Sequence, residues 1–98
     1  MKFTVNGMKW SMKFTDKDLD EQREDMYMGL TKFIDQEILI RKGMSRRLTR
    51  MTVIHELCHC FLFSYGITTG AYDEEQLCKF VAANIDQIID LTDEFLSK

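Results

Sequence analysis

Both histidines of this chain fall in one pentapeptide, His55-Glu56-Leu57-Cys58-His59. Residues four apart on an α-helix share a face, about one turn or roughly 6 Å along the axis. Two imidazole nitrogens presented this way can hold one tetrahedral zinc ion at about 2.0–2.1 Å each. Glu56, beside the first histidine on the rim of that face, is badly placed to ligate the ion. It is well placed to take a proton from a water that does. Two ligands, a base and an open coordination position are the parts of a zinc hydrolase. Against this stands the ordinary account, in which a helical histidine is a packing or surface residue and short motifs recur by accident. The pair is not drawn from a larger pool of histidines, however, and the segment around it is helical in pattern, as the motif requires.

Such a site needs a third protein ligand. Asp73 reads as a helix N-cap, with Gln76 three residues on completing a capping-box pattern. Leu77, Val81, Ile85, Ile88 and Phe95 form the expected inner stripe of that helix, and reading the stripe backwards lands on Glu74. Glu75 lies on the neighbouring line through Cys78, Ala82 and Ile89, which is also apolar, so spacing alone leaves both carboxylates open. A carboxylate in the first turn is favoured by the helix dipole, which offsets part of the cost of burying it. Acidic residues are common in first turns for the same reason. Only the upstream motif lifts Glu74 above that plain explanation.

The elements that must position these residues are expected from local signals. Phe3 and Val5, then Asn6-Gly7, then Met8, Trp10, Met12 and Phe14 alternate about a turn that favours positive φ at both central residues, which predicts a β-hairpin. Gly29 to Phe33 and Glu37 to Arg41 predict two more strands, joined near Asp35-Gln36. The acidic stretch Asp16 to Asp25 is expected to be a loop or a short exposed helix. Ser45 is a suitable N-cap, after which Leu48, Met51, Ile54 or His55, Cys58, Leu62 and Tyr65 recur at helical spacing, with Gly66 as the C′ residue. The expected fold is α+β: a small antiparallel sheet of three to four strands followed by two helices, the first lying across the sheet.

Bulk properties bound the function. A chain of 98 residues is one domain, 1–98, with a single core. A net charge of −3 argues against a nucleic-acid partner bound through a broad basic surface. The local basic cluster Arg41, Lys42, Arg46, Arg47 and Arg50 reads as a solvated helix face. No apolar run is long enough to cross a membrane, and residues 1–7 lack a signal-peptide core. Three cysteines, Cys58, Cys60 and Cys78, make no disulfide framework and are expected to be buried small hydrophobes. A cytoplasmic setting is the expectation.

His55-Glu56-Leu57-Cys58-His59 together with Glu74-Glu75-Gln76-Leu77-Cys78-Lys79-Phe80-Val81-Ala82 resembles a minimal gluzincin-type metallopeptidase domain. The branch it is most similar to is the ImmA/IrrE-like proteins of Gram-positive bacteria and their phages. That family carries E-x-x-A-x-x-F-A on its second helix, and aligning on Phe80 implies Glu74 as the third zinc ligand. The resemblance covers the hairpin and the later strands as well, and implies a zincin-like fold with substrate extended along an edge strand. Leu77 stands where the family has a small residue, Val81 where it has Ala, and the interval from His59 to Glu74 is short for the family.

Two functions are therefore expected to compete. In the first, His55, His59 and Glu74 hold Zn²⁺, and Glu56 acts as general base in hydrolysing a peptide or protein substrate through a metal-bound water. Tyr65 and Tyr72 stand nearby in sequence as possible oxyanion donors. In the second, zinc staples a non-catalytic protein-binding module of phage or mobile-element origin. Intact Glu56 favours the first.

Overall fold

The computed structural model describes residues 1–16, 28–67, 70 and 73–97. Tyr72 and all but the first residue of the acidic stretch Asp16 to Asp25 lie outside the described residues.

Strands β1 (Lys2–Val5) and β2 (Met8–Thr15) form the expected hairpin, with Val5 opposite Met8 and Lys2 opposite Ser11. Asn6 at φ 47° and Gly7 at φ 80° supply the two left-handed residues that a type I′ turn needs. Strands β3 (Gly29–Lys32) and β4 (Glu37–Arg41) pair antiparallel, and Gln36, at φ 52°, closes their turn. Helices α1 (Arg46–Ser64) and α2 (Glu74–Leu96) follow, so the molecule is α+β.

The four strands lie in the order β1-β2-β4-β3, and β2 runs parallel to β4, with Met12 opposite Ile38 and Phe14 opposite Ile40. The sheet is therefore mixed, where the sequence predicted an antiparallel one. Side-chain character accounts for the difference. β4 turns Ile38 and Ile40 inward, both fully buried, whereas the inward residues of β3 are Gly29 and Thr31. Placing β4 at the centre buries the apolar strand from both sides and leaves the polar one at the edge.

Alternation along the strands makes one face apolar. Val5, Trp10, Met12, Ile38 and Ile40 turn towards the helices, while Lys9, Lys13 and Thr4 turn away to solvent. Against the apolar face α1 buries Val53, Leu57, Cys60 and Phe61. Each such large apolar side chain contributes about 1.5–3 kcal/mol by burial. This face is rotated from the stripe expected from spacing, since Met51 and Tyr65 are exposed whereas Thr52, Glu56 and Ser64 are buried. The polar residues on it have partners. Trp10 Nε1 donates to Ser64 Oγ at 3.0 Å, Asn6 Nδ2 donates to the Ser64 carbonyl at 2.9 Å, and Thr52 Oγ1 donates to the Leu48 carbonyl at 2.8 Å. The first two bonds pin the end of α1 to the β1–β2 hairpin.

Both helices are capped as expected. Ser45 Oγ accepts from the Leu48 amide at 3.2 Å. At the other end the Ile67 amide donates to the Leu62 carbonyl and the Gly66 amide to the Phe63 carbonyl, a Schellman termination with Gly66 at φ 73°. Asp73 and Gln76 form the reciprocal capping box at the start of α2.

Only the second half of α2 packs as expected. Ile88, Thr92 and Phe95 are buried, and Phe95 stacks on Phe14 of β2 at 4.6 Å between ring centroids. The first half departs from expectation: Leu77, Val81 and Ile85 are exposed. An open groove of about 630 Å³ separates its turns from Leu62, Tyr65 and Ile67. In that half of the helix Phe80, partly buried against the core, and buried Asn84 make the attachment instead, and the first three residues of the expected stripe are left exposed. No helix among the described residues is long and apolar enough to cross a membrane.

Candidate metal centre

The middle of α1 delivers the two histidines together. His55 Nε2 and His59 Nε2 are 3.2 Å apart, with ring centroids 4.9 Å apart and the ring planes at 74°. Two nitrogens each about 2.0–2.1 Å from one tetrahedral ion lie about 3.3 Å apart. The pair therefore presents its donor atoms at the spacing a zinc ion spans. The same separation is also that of an N–H···N hydrogen bond between neutral imidazoles. The His55 side chain is 67% exposed, so the nitrogens face an open cleft.

Glu56 is on the other side of that rim and is buried, with 7% of its surface exposed. A carboxylate in such a place needs partners, and β3 supplies one. Thr31 Oγ1 lies 2.9 Å from Glu56 Oε1 and 3.2 Å from the Glu56 carbonyl oxygen, so its single proton is shared between them. The second carboxylate oxygen, Oε2, lies 3.9 Å from His55 Nε2. That is too long for a direct hydrogen bond. Glu56 thus has one oxygen held by the edge strand and one aimed at the histidines.

Gly29 makes this approach possible. A Cβ built there would stand 2.7 Å from Thr52 Cγ2 and 2.9 Å from Glu56 Cγ, closer than side-chain carbons pack. Two small hollows flank the carboxylate. One, of about 230 Å³, is lined by Met28, Leu48 and Met51 with His55 and Glu56. The other, of about 270 Å³, is lined by Leu30, Thr31 and Phe33 with His55, Glu56 and His59.

The structure brings together His55, Glu56 and His59 from the expected site, and does not bring Glu74 to them. Glu74 and Glu75 are exposed in the first turn of α2. Among the described residues no three His, Cys, Asp or Glu side chains form a group able to hold a metal ion. Tyr65 is exposed at the C-cap of α1. The cysteines are unpaired and differ in setting. Burial pushes the Cys60 thiol up to about 12, against the lowering effect of a hydrogen bond with Ser64, and burial also raises Cys58. Cys78 is exposed, contrary to the expectation of burial, because it lies on the opposite side of α2 from Phe80, which packs against the core.

Thr31 and Gly29 are the residues that sequence reasoning missed. A glycine at the head of a strand was a signal of close backbone approach, but nothing local pointed from Gly29 to Glu56. Comparison with known proteins yields no match: no family model fits the chain, and no curated protein and no solved structure is similar to it.

Proposed function

We propose that the chain is a zinc-dependent metallopeptidase acting on a peptide or protein substrate in the cytoplasm. The observation that carries this reading is the arrangement of three groups within two adjacent turns: two Nε2 atoms 3.2 Å apart and a buried carboxylate with one oxygen 3.9 Å from that of His55. His55 and His59 would hold the ion, and Glu74 would be the third ligand once the first turns of α2 move towards α1. Zinc bound there would lower the pKa of a coordinated water towards about 7 and polarise a carbonyl. Glu56 accepts the proton from the attacking water and returns it to the leaving amine. The burial of Glu56 keeps its carboxylate in one orientation, and the open face of the histidines leaves room for a substrate chain. Fold-level kinship with gluzincins, and an ImmA/IrrE-like ancestry, belong to this proposal and rest on the motif residues quoted above.

The test is metal analysis of purified protein reloaded with zinc, followed by hydrolysis of a denatured protein substrate. One zinc per chain with zinc-dependent cleavage supports the reading; no retained zinc ends it. A second reading, a non-catalytic zinc-stapled binding module of phage or mobile-element origin, is favoured by one observation. Leu77, Val81 and Ile85 offer solvent an exposed apolar stripe, which is what a protein-binding surface requires. Zinc retention without cleavage of any substrate selects this second reading.

A further inference from the structure

We infer that Thr31, on the edge strand β3, is the positioning residue for Glu56, and that Gly29 is the clearance that lets it act. The inference rests on the metallopeptidase reading and names how its base is set. A glutamate side chain has three rotatable bonds and in open solvent samples many orientations. Here the orientation is fixed at the carboxylate itself. The Thr31 hydroxyl, 2.9 Å from Oε1, ties that oxygen to β3, and as a consequence Oε2 is turned towards His55 Nε2 at 3.9 Å.

The tie is built from two directions. Thr31 is itself buried, and its hydroxyl also reaches the Glu56 carbonyl oxygen at 3.2 Å, so strand and helix are joined through backbone and side chain of the same residue. Two residues earlier on the same inward face of β3, Gly29 leaves the space that Glu56 Cγ and Thr52 Cγ2 occupy. Any side chain at Gly29 must displace Thr52 or the stem of Glu56. Among the described residues the hydroxyl of Thr31 bonds to Glu56 and not to either histidine. Its effect is exerted through Glu56, as partners outside a ligand shell ordinarily act.

Three variants of Thr31 separate the hydroxyl from the shape of the side chain. Thr31→Val removes the hydroxyl at nearly constant volume and is expected to lower kcat about 10–100-fold, with KM and zinc content little changed. Thr31→Ser keeps the hydroxyl and is expected to restore kcat to within about threefold. Gly29→Ala is expected to lower kcat by at least as much as Thr31→Val, since it moves the Glu56 stem directly. An unreduced kcat in Thr31→Val, or a Thr31→Ser protein as impaired as Thr31→Val, overturns the inference. If Thr31→Val does not fold, Thr31→Ala takes its place, with the same expected outcomes.

A second measurement needs no turnover. In the metal-free protein, Thr31→Val, Glu56→Met and the double variant form a cycle of melting temperatures, Glu56→Met keeping side-chain length while removing both oxygens. Thr31→Val is expected to lower Tm by less than half as much in the Glu56→Met background as in the unsubstituted protein. Equal shifts in both backgrounds overturn the inference. If the unsubstituted protein cleaves nothing while the cycle is non-additive, the metallopeptidase reading falls and Thr31 still stands as the residue that holds Glu56.

Discussion

Glu56 is buried and His55 is open to solvent although the two are neighbours in sequence, and that contrast gives each a separate test. Glu56→Gln is nearly isosteric and keeps an acceptor for Thr31, so the protein should fold and retain zinc. An amide cannot take a proton from water, so peptide hydrolysis should fall by about 10²–10⁴-fold. His55→Ala should lose zinc and hydrolysis together. Full hydrolysis by the Glu56→Gln protein would end the enzyme reading. The cysteines give a second test of the residue environments. With the Cys60 thiol raised to about 12, its thiolate fraction at pH 8 is about one in 10⁴. Alkylation at pH 8 should therefore label exposed Cys78 first and Cys58 slowly, and leave Cys60 intact until the protein unfolds. Rapid loss of all three thiols in the folded protein would contradict the burial described. The histidine pair and Glu56 were legible in the sequence because their relation is helical and local. Thr31 was not, because its contact with Glu56 joins residues 25 apart in the chain across a strand–helix interface.

At the scale of elements the same division holds. The type I′ turn at Asn6-Gly7, the Ser45 cap, the Gly66 termination and the Asp73–Gln76 box were all readable, since each is decided within a few residues. The parallel pairing of β2 with β4 was not, because it depends on which strand of the β3–β4 hairpin docks, a choice made by distant packing. The stripe on α2 was legible as a pattern, but pattern did not reveal that Leu77, Val81 and Ile85 would be left exposed while Phe80 and Asn84 pack in that half of the helix. That exposure makes a prediction. If Glu74 completes the zinc site, metal binding must draw Glu74 to the histidines and move the first turns of α2, which carry Leu77 and Val81, relative to Leu62 and Tyr65 across the groove that Leu77 lines. Methyl resonances of Leu77 and Val81 should shift on zinc addition, while those of Ile88, already buried, should move little. Glu74→Gln should abolish the shift and Glu75→Gln should leave it. The reverse pattern would assign the ligand to Glu75, and no shift in the unsubstituted protein would exclude α2 as a source of the third ligand.

The whole molecule joins one well-packed region to one that is more loosely covered. Phe61, Leu57, Met12, Ile38 and Ile40 are fully buried between α1 and the sheet, so the core holds α1, β2 and β4 without help from a ligand. Truncating Phe61 to Ala should cost about 3–5 kcal/mol, as large-to-small changes at buried aromatic positions do. The first half of α2 is attached through Phe80, partly buried against the core, and through buried Asn84, while the Arg50–Asp93 ion pair farther along is solvent-exposed and of the kind that contributes about 0–1 kcal/mol. A metal ion shared by α1 and the start of α2 would tie the free end down. Binding only to the folded state at 100 times its dissociation constant adds about 2.7 kcal/mol. In a domain of this length each kcal/mol moves Tm by about 4–8 °C, so saturating zinc should raise Tm by roughly 10–20 °C over the chelated protein. The location of the effect distinguishes a tie between helices from a surface ion. In hydrogen exchange, zinc should slow the amides of residues 74–83 far more than those of α1, whose amides are already protected by the core. A raised Tm with no added protection in that segment would mean that zinc is held by α1 alone and that Glu74 takes no part.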